Sequence, residues 1–205
     1  MGKELEIKLG ADGEETLERV LRWEALAPLR RGEEQTFRMR TVYYDTADGQ
    51  LAARRWTLRC RQENETSVIC LKTPRDPGEE KYLRGEWQTQ SAQMAEALPA
   101  LAAQGAPQAL LTLDAGALRP LCGAEFTRQT VLLALEDGSI CELACDRGVF
   151  TGGGRRRSFA EVELELKQGE SGRMLALARR LMQAFSLAEE PKSKFQRAKA
   201  LAAGE

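Results

Sequence analysis

Glu4-Leu5-Glu6-Ile7-Lys8-Leu9 alternates strictly between charge and hydrocarbon. Successive side chains of an extended strand point to opposite faces, so Leu5, Ile7 and Leu9 share one face and Glu4, Glu6 and Lys8 the other. Far along the chain the pattern returns as Glu161-Val162-Glu163-Leu164-Glu165-Leu166-Lys167. Between these stretches Arg38 and Arg40, Arg59 and Arg61, and Arg84 and Glu86 repeat the two-residue spacing of ionisable groups. Any one such strand is what an antiparallel sheet with one wet face produces. So many of them, all facing bulk water, would need more helix over the other face than this chain contains. A sheet curled into a barrel, charged inside and apolar outside with helices packed externally, uses the same residues economically.

The strand-like runs extend outward from this frame. Residues 35–46, 54–64, 66–73 and 81–90 alternate and are separated by Asp48-Gly49, Asn64-Glu65 and the turn-forming Pro74-Arg75-Asp76-Pro77-Gly78. Further strands are predicted over 124–135, 139–146 and 159–167, with turns at Asp137-Gly138 and Gly152-Gly153-Gly154. Apolar residues at helical spacing predict helices over 12–28 and 173–187, and the Ala- and Leu-rich 91–118 reads as short helices capping the sheet. Lys192-Ser193-Lys194-Phe195-Gln196-Arg197 reads as a basic tail. The fold class is therefore α+β, with one domain over residues 1–205.

Composition narrows the chemistry. Thirty basic against thirty-one acidic residues give a net charge of −1, which supplies no bulk attraction to nucleic acid or to an anionic membrane. The chain has no histidine, which removes Ser-His-Asp and Cys-His catalysis and histidine metal sites together. Five cysteines without a CxxC pair and a charged start at Met1-Gly2-Lys3-Glu4 favour a reducing cytoplasm. Cys141 and Cys145 read as ordinary apolar packing. Gly152-Gly153-Gly154 lacks the spacing of a phosphate-binding loop, and Arg155, Arg156 and Arg157 after it read as a solvated patch.

A barrel interior with carboxylates on the terminal strands and cations on the middle ones suits a compact polyanion together with divalent cations. Oxygen ligands select Mg²⁺ or Mn²⁺. The bland alternative is a network of internal salt bridges, but burying ions merely to pair them is usually neutral or costly.

In order and spacing the chain resembles the CYTH superfamily, the triphosphate tunnel metalloenzymes. The resemblance rests on Glu4-Leu5-Glu6-Ile7-Lys8, Val42-Tyr43-Tyr44-Asp45-Thr46, Leu58-Arg59-Cys60-Arg61, Cys70-Leu71-Lys72-Thr73-Pro74, Arg84-Gly85-Glu86, Phe126-Thr127-Arg128, 160–166 and Ser193-Lys194. It implies a closed eight-stranded antiparallel β-tunnel that binds triphosphate with Mg²⁺ or Mn²⁺ and hydrolyses a phosphoanhydride bond. Carried over, Glu4, Glu6, Glu161 and Glu163 resemble the metal-binding acids, with Glu165 and Asp146, the latter near a hairpin end, as weaker candidates. Arg59, Arg61, Lys72 and Arg128 resemble phosphate ligands, Lys8 and Lys194 further tunnel cations, and Arg38, Arg40 and Arg84 join the substrate-binding set. Lys8, Arg59, Arg61 and Lys72 are the expected catalytic residues. Gln88 stands where many relatives have a second glutamate, which weakens a second metal.

The chain is most similar to the bacterial inorganic triphosphatase branch, here without room for the helical CHAD domain often appended to it. The expected reaction is hydrolysis of inorganic triphosphate to pyrophosphate and phosphate, with a small-molecule triphosphate or polyphosphate as partner. Alternatives are a non-catalytic polyphosphate- or nucleotide-binding module, or a relative acting on thiamine triphosphate or ATP. Relatives that use thiamine triphosphate resemble one another in a tunnel-facing Trp where this chain has Thr57, Trp56 having the opposite parity.

Overall fold

The computed structural model describes residues 4–74, 78 and 81–205. Met1, Gly2 and Lys3, and the centre of the turn expected over 74–78, lie outside the described residues. The strand read at the start of the chain is β1 (Glu4–Gly10), followed by helix α1 (Glu14–Leu21), which stops short of the expected Pro28, and a 3-10 turn over Glu24–Leu29 that contains Pro28. Next come β2 (Arg30–Thr46), the single-turn α2 (Gln50–Ala53), β3 (Thr57–Glu63) and β4 (Thr66–Lys72). The strand expected over 81–90 is two pieces, β5 (Leu83–Arg84) and β6 (Glu86–Gln90). Helix α3 (Met94–Ala103) precedes the long strands β7 (Leu118–Ala134), β8 (Ile140–Gly152) and β9 (Arg155–Gln168). Helix α4 (Ser171–Phe185), β10 (Ala188–Glu189) and α5 (Lys194–Ala203) complete the chain.

The strands form one antiparallel sheet in the order β10-β1-β9-β8-β7-β2-β3-β4-β6, and β5 pairs back on β1. Because β5 and β6 are joined through Gly85, one short segment links the two ends of the sheet: Glu4 faces Arg84 across one seam and Lys72 faces Glu86 across the other. The eight expected strands are thus ten segments, since one strand is broken at Gly85 and the two-residue β10 adds to the edge of β1. Gly85 is required at the break. A Cβ there would lie 2.3 Å from Thr73 Oγ1 and 2.7 Å from the Trp87 ring.

The outer face is apolar as the alternation requires. Leu5, Ile7 and Leu9 pack with Leu143, Val162 and Leu164 under α1 and α4, and Leu58, Ile69 and Leu71 pack under α3. Cys141 and Cys145 belong to that outer core and are free thiols, with burial pushing Cys141 up to about 12.

One helix departs from the external arrangement. Residues 192–197 are not a tail: α5 starts at Lys194 behind a capping box, in which the Ser193 hydroxyl accepts from the Gln196 amide and Gln196 Oε1 accepts from the Ser193 amide. Its Ala198 and Leu201 pack on Met39, Tyr43, Ala124, Phe126 and Phe150, which have the strand parity of the barrel interior. Helix α5 therefore closes one end of the tunnel from within. The glycine turn after β8 serves this docking, because a Cβ at Gly152 would approach Ala202 Cβ to 2.8 Å and the Ala198 carbonyl to 2.9 Å.

Candidate active site

The inward faces of β1 to β9 and the first turn of α5 line a polar cavity of about 180 Å³. Eight cationic side chains and six carboxylates line it, so the interior is net positive in a chain of net charge −1. Register explains the assembly. On β1, Glu6 lies opposite Glu165 and Lys8 opposite Glu163; on β3, Arg59 lies opposite Cys70. Lys72 sits beside the closing segment.

Two carboxylate groups form inside the tunnel. In the first, oxygens of Glu4, Glu6 and Glu165 lie within 4.8 Å of one another and face the cavity. Lys8 donates to Glu6 at 2.9 Å, Lys72 reaches Glu4 at 2.5 Å and Glu86 at 3.1 Å, and Lys167 holds Glu165 at 2.8 Å. Burial and the neighbouring Glu6 hold the Glu4 carboxyl well above the usual range, against Lys72. Burial acts on Glu6 in the same direction, but Lys8, Lys72 and Lys194 outweigh it and hold Glu6 well below that range. An oxygen-only set of three carboxylates fits a hard divalent cation such as Mg²⁺ or Mn²⁺.

The second group, Asp146, Glu161 and Glu163, also lies within 4.8 Å and is wholly buried. It is filled by cations. Arg128 makes a two-point contact with Asp146 at 2.8 and 2.7 Å and reaches Glu163. Lys194 meets Asp146 at 2.7 Å, Glu163 at 2.8 Å and Glu161, while Arg197 pairs with Glu161. Arg128 and Lys194 stand over the Phe126 ring, and Arg197 stands over Phe150 at 4.8 Å.

Of the residues singled out from sequence, Glu4, Glu6, Lys8, Arg59, Arg61, Lys72, Arg84, Arg128, Glu163 and Lys194 line the cavity. Glu161 lies behind it, covered by Lys194 and Arg197. Asp146 is mid-strand in β8, opposite both Arg128 and Glu161, not near a hairpin end. Arg38 and Arg40 are corrected: they are exposed on the outer face, beside Gln62 and Asn64, because Met39, Thr41 and Tyr43 take the inward positions of β2. Arg155, Arg156 and Arg157 are exposed and lie outside the cavity.

Four site residues were not assigned from sequence. Glu86 bonds the Cys70 thiol at 3.0 Å and stands between Lys72 and Arg59; its alternation with Arg84 was the available signal. Glu142 and Lys167 join the acidic group through the parity of Asp146 and Glu165. Arg197 gave no signal, since its helix read as a tail. Arg59 is held loosely by the wall: it stands 3.6 Å from Glu86, and its buried Nε has no hydrogen-bond partner.

Comparison with known proteins agrees with this architecture. The CYTH domain matches residues 2–198, and the chain belongs to that family. An inorganic triphosphatase of Haemophilus influenzae is 28% identical over 144 residues, covering 67% of this chain and 38% of the relative, so the chain spans well under half of that protein's length. A Hippeastrum protein, described as a candidate adenylyl cyclase with a dominant triphosphatase activity, shares the fold with TM-score 0.60 at 21% identity, covering 98% of this chain and 95% of its own. A candidate adenylate cyclase of Bacillus halodurans does so with TM-score 0.57 at 23% identity, over 96% and 98%. Among the described residues no helix is long and apolar enough to cross a membrane.

Proposed function

We propose that this chain hydrolyses inorganic triphosphate to pyrophosphate and phosphate inside the tunnel, with Mg²⁺ or Mn²⁺ held by Glu4, Glu6 and Glu165. The observation that carries this reading is the pairing of an open three-carboxylate group with an excess of cations around one polar cavity. The Haemophilus influenzae relative supports the same reaction class.

Arg59 and Arg61 enter the cavity from β3 and Arg84 from β5 beside Glu4, and all three present planar donors suited to phosphate oxygens. Arg59 is the chief ligand, since its Nε is desolvated without a partner and a phosphate oxygen would satisfy it. Lys72, already between Glu4 and Glu86, places its charge where the phosphate chain meets the acids, and Lys8 does the same beside Glu6. A bound divalent cation supplies charge neutralisation of the phosphate oxygens and acidification of water. The protein's own contribution is positioning and fixed charge, which phosphoryl transfer needs more than covalent participation.

Recognition ends at the phosphates. Thr57 lines the cavity, whereas Trp56 packs in the outer core beneath Arg54, so no indole is offered to an organic group at that position. The test is phosphate release from triphosphate, ATP and thiamine triphosphate with Mg²⁺, with Mn²⁺ and with chelator. Metal-dependent release favouring inorganic triphosphate is expected. Tight binding of triphosphate without release would make the chain a binding module.

A further inference from the structure

We infer that the ammonium group of Lys194 occupies the Asp146–Glu161–Glu163 triad in place of a divalent cation, so that the tunnel takes metal at Glu4, Glu6 and Glu165 alone. This rests on the reading of the open triad as a metal site. It also reassigns Lys194 from phosphate ligand to internal counter-cation, and Glu161 and Glu163 from metal ligands to its partners.

The two triads are equally compact, with ligand oxygens within 4.8 Å in each, yet their surroundings differ. At the inner triad Lys194 Nζ touches all three acids, at 2.7 Å from Asp146, 2.8 Å from Glu163 and in contact with Glu161. Arg128 and Arg197 complete the set, so three carboxylates meet three cations. Charge balance alone does not separate the triads, because Lys8, Lys72 and Lys167 match Glu6, Glu4 and Glu165 one to one; the difference is that a single buried ammonium bridges all three inner acids, whereas each outer lysine holds one acid of its triad. The ammonium stands among the three acids, where a divalent ion held by all of them would have to sit. Position within α5 points the same way. Lys194 is the first residue of its helix, where the dipole disfavours a cation, so the three carboxylates have to offset the dipole as well as the burial of its charge. The capping box at Ser193 and Gln196 and the packing of Ala198 and Leu201 hold the helix end, and hence the ammonium, at the tunnel floor.

Manganese binding counted by electron paramagnetic resonance tests this on the whole chain without substrate. Lys194→Ala removes the ammonium and leaves room for an ion with its waters. The variant should bind one more Mn²⁺ per chain than the wild type, while Lys194→Arg should show no gain. An equal count in Lys194→Ala and wild type overturns the assignment. Should Lys194→Ala fail to fold, Glu4→Gln/Glu6→Gln decides: with the open triad dismantled it should lose its tight Mn²⁺, and retention of a tight ion would mean that the inner triad is a metal site after all. Hydrolysis is scored separately. A wild type that binds metal but leaves triphosphate intact, with the one-ion gain still seen in Lys194→Ala, would end the triphosphatase reading and leave the Lys194 assignment standing.

Discussion

Glu4 and Glu6 stand two positions apart on one strand, and their surroundings act on them in opposite directions, Glu4 held high and Glu6 low. If they hold the metal, Glu4→Gln and Glu6→Gln should each cost at least about tenfold to a hundredfold in metal-dependent turnover, since even loss of a partner outside the ligand set costs that much. Circular dichroism should stay unchanged, because the amide keeps the shape. If Arg59 and Arg61 hold the phosphates, Arg59→Ala and Arg61→Ala act on the substrate instead, and loss of a charged hydrogen bond of about 1.5–3 kcal/mol should lower kcat/KM by roughly 10- to 100-fold, with KM raised. Unchanged kcat/KM in both would place those guanidiniums off the substrate path. The pairs Arg38/Arg40 and Arg59/Arg61 are indistinguishable by spacing. Only the fold separates them: β2 has no helix over its outer face at that point, and its inward residues Met39 and Tyr43 pack against α5, so polarity and burial do not follow the usual sides.

At the scale of elements, the seam between β5 and β6 is the part most exposed to single substitutions. Gly85→Ala should lower stability by about 1–3 kcal/mol through overpacking against Thr73 and Trp87, read as an earlier urea midpoint with activity retained in the folded fraction. A midpoint equal to the wild type would mean that the Trp87 ring moves aside freely. The strands were legible because alternation is a local property, and β1, β3, β4 and β9 lie close to where the alternation puts them. Helix α5 was not. Its first turn carries Lys194 and Arg197, whose charge density suggests solvent, and the carboxylates that bury them come from β8 and β9, far away in sequence. The Ser193–Gln196 capping box was the one local signal of a helix there. Asp146 was misplaced for the related reason that β8 runs on to Gly152, past the point where its apolar pattern weakens.

For the whole molecule, a net charge of −1 conceals a cavity where cations outnumber acids, and this segregation decides what enters. With Thr57 on the wall and Trp56 outside, ATP and thiamine triphosphate should have kcat/KM at least about tenfold below inorganic triphosphate, because an organic group adds bulk without a dedicated partner. Competition among the three at equal concentration measures this, and a win for either organic substrate would point to a recognition surface on a loop or wall. The central claim is metal-dependent cleavage of triphosphate within the tunnel. A phosphorus NMR time course of inorganic triphosphate with Mg²⁺, run on wild type and Glu6→Gln, tests it most directly. The account predicts pyrophosphate and phosphate appearing in equal amounts with wild type, stopping on addition of chelator and at least about tenfold slower with the variant. Triphosphate that persists with wild type, or cleavage indifferent to both chelator and Glu6→Gln, would contradict it.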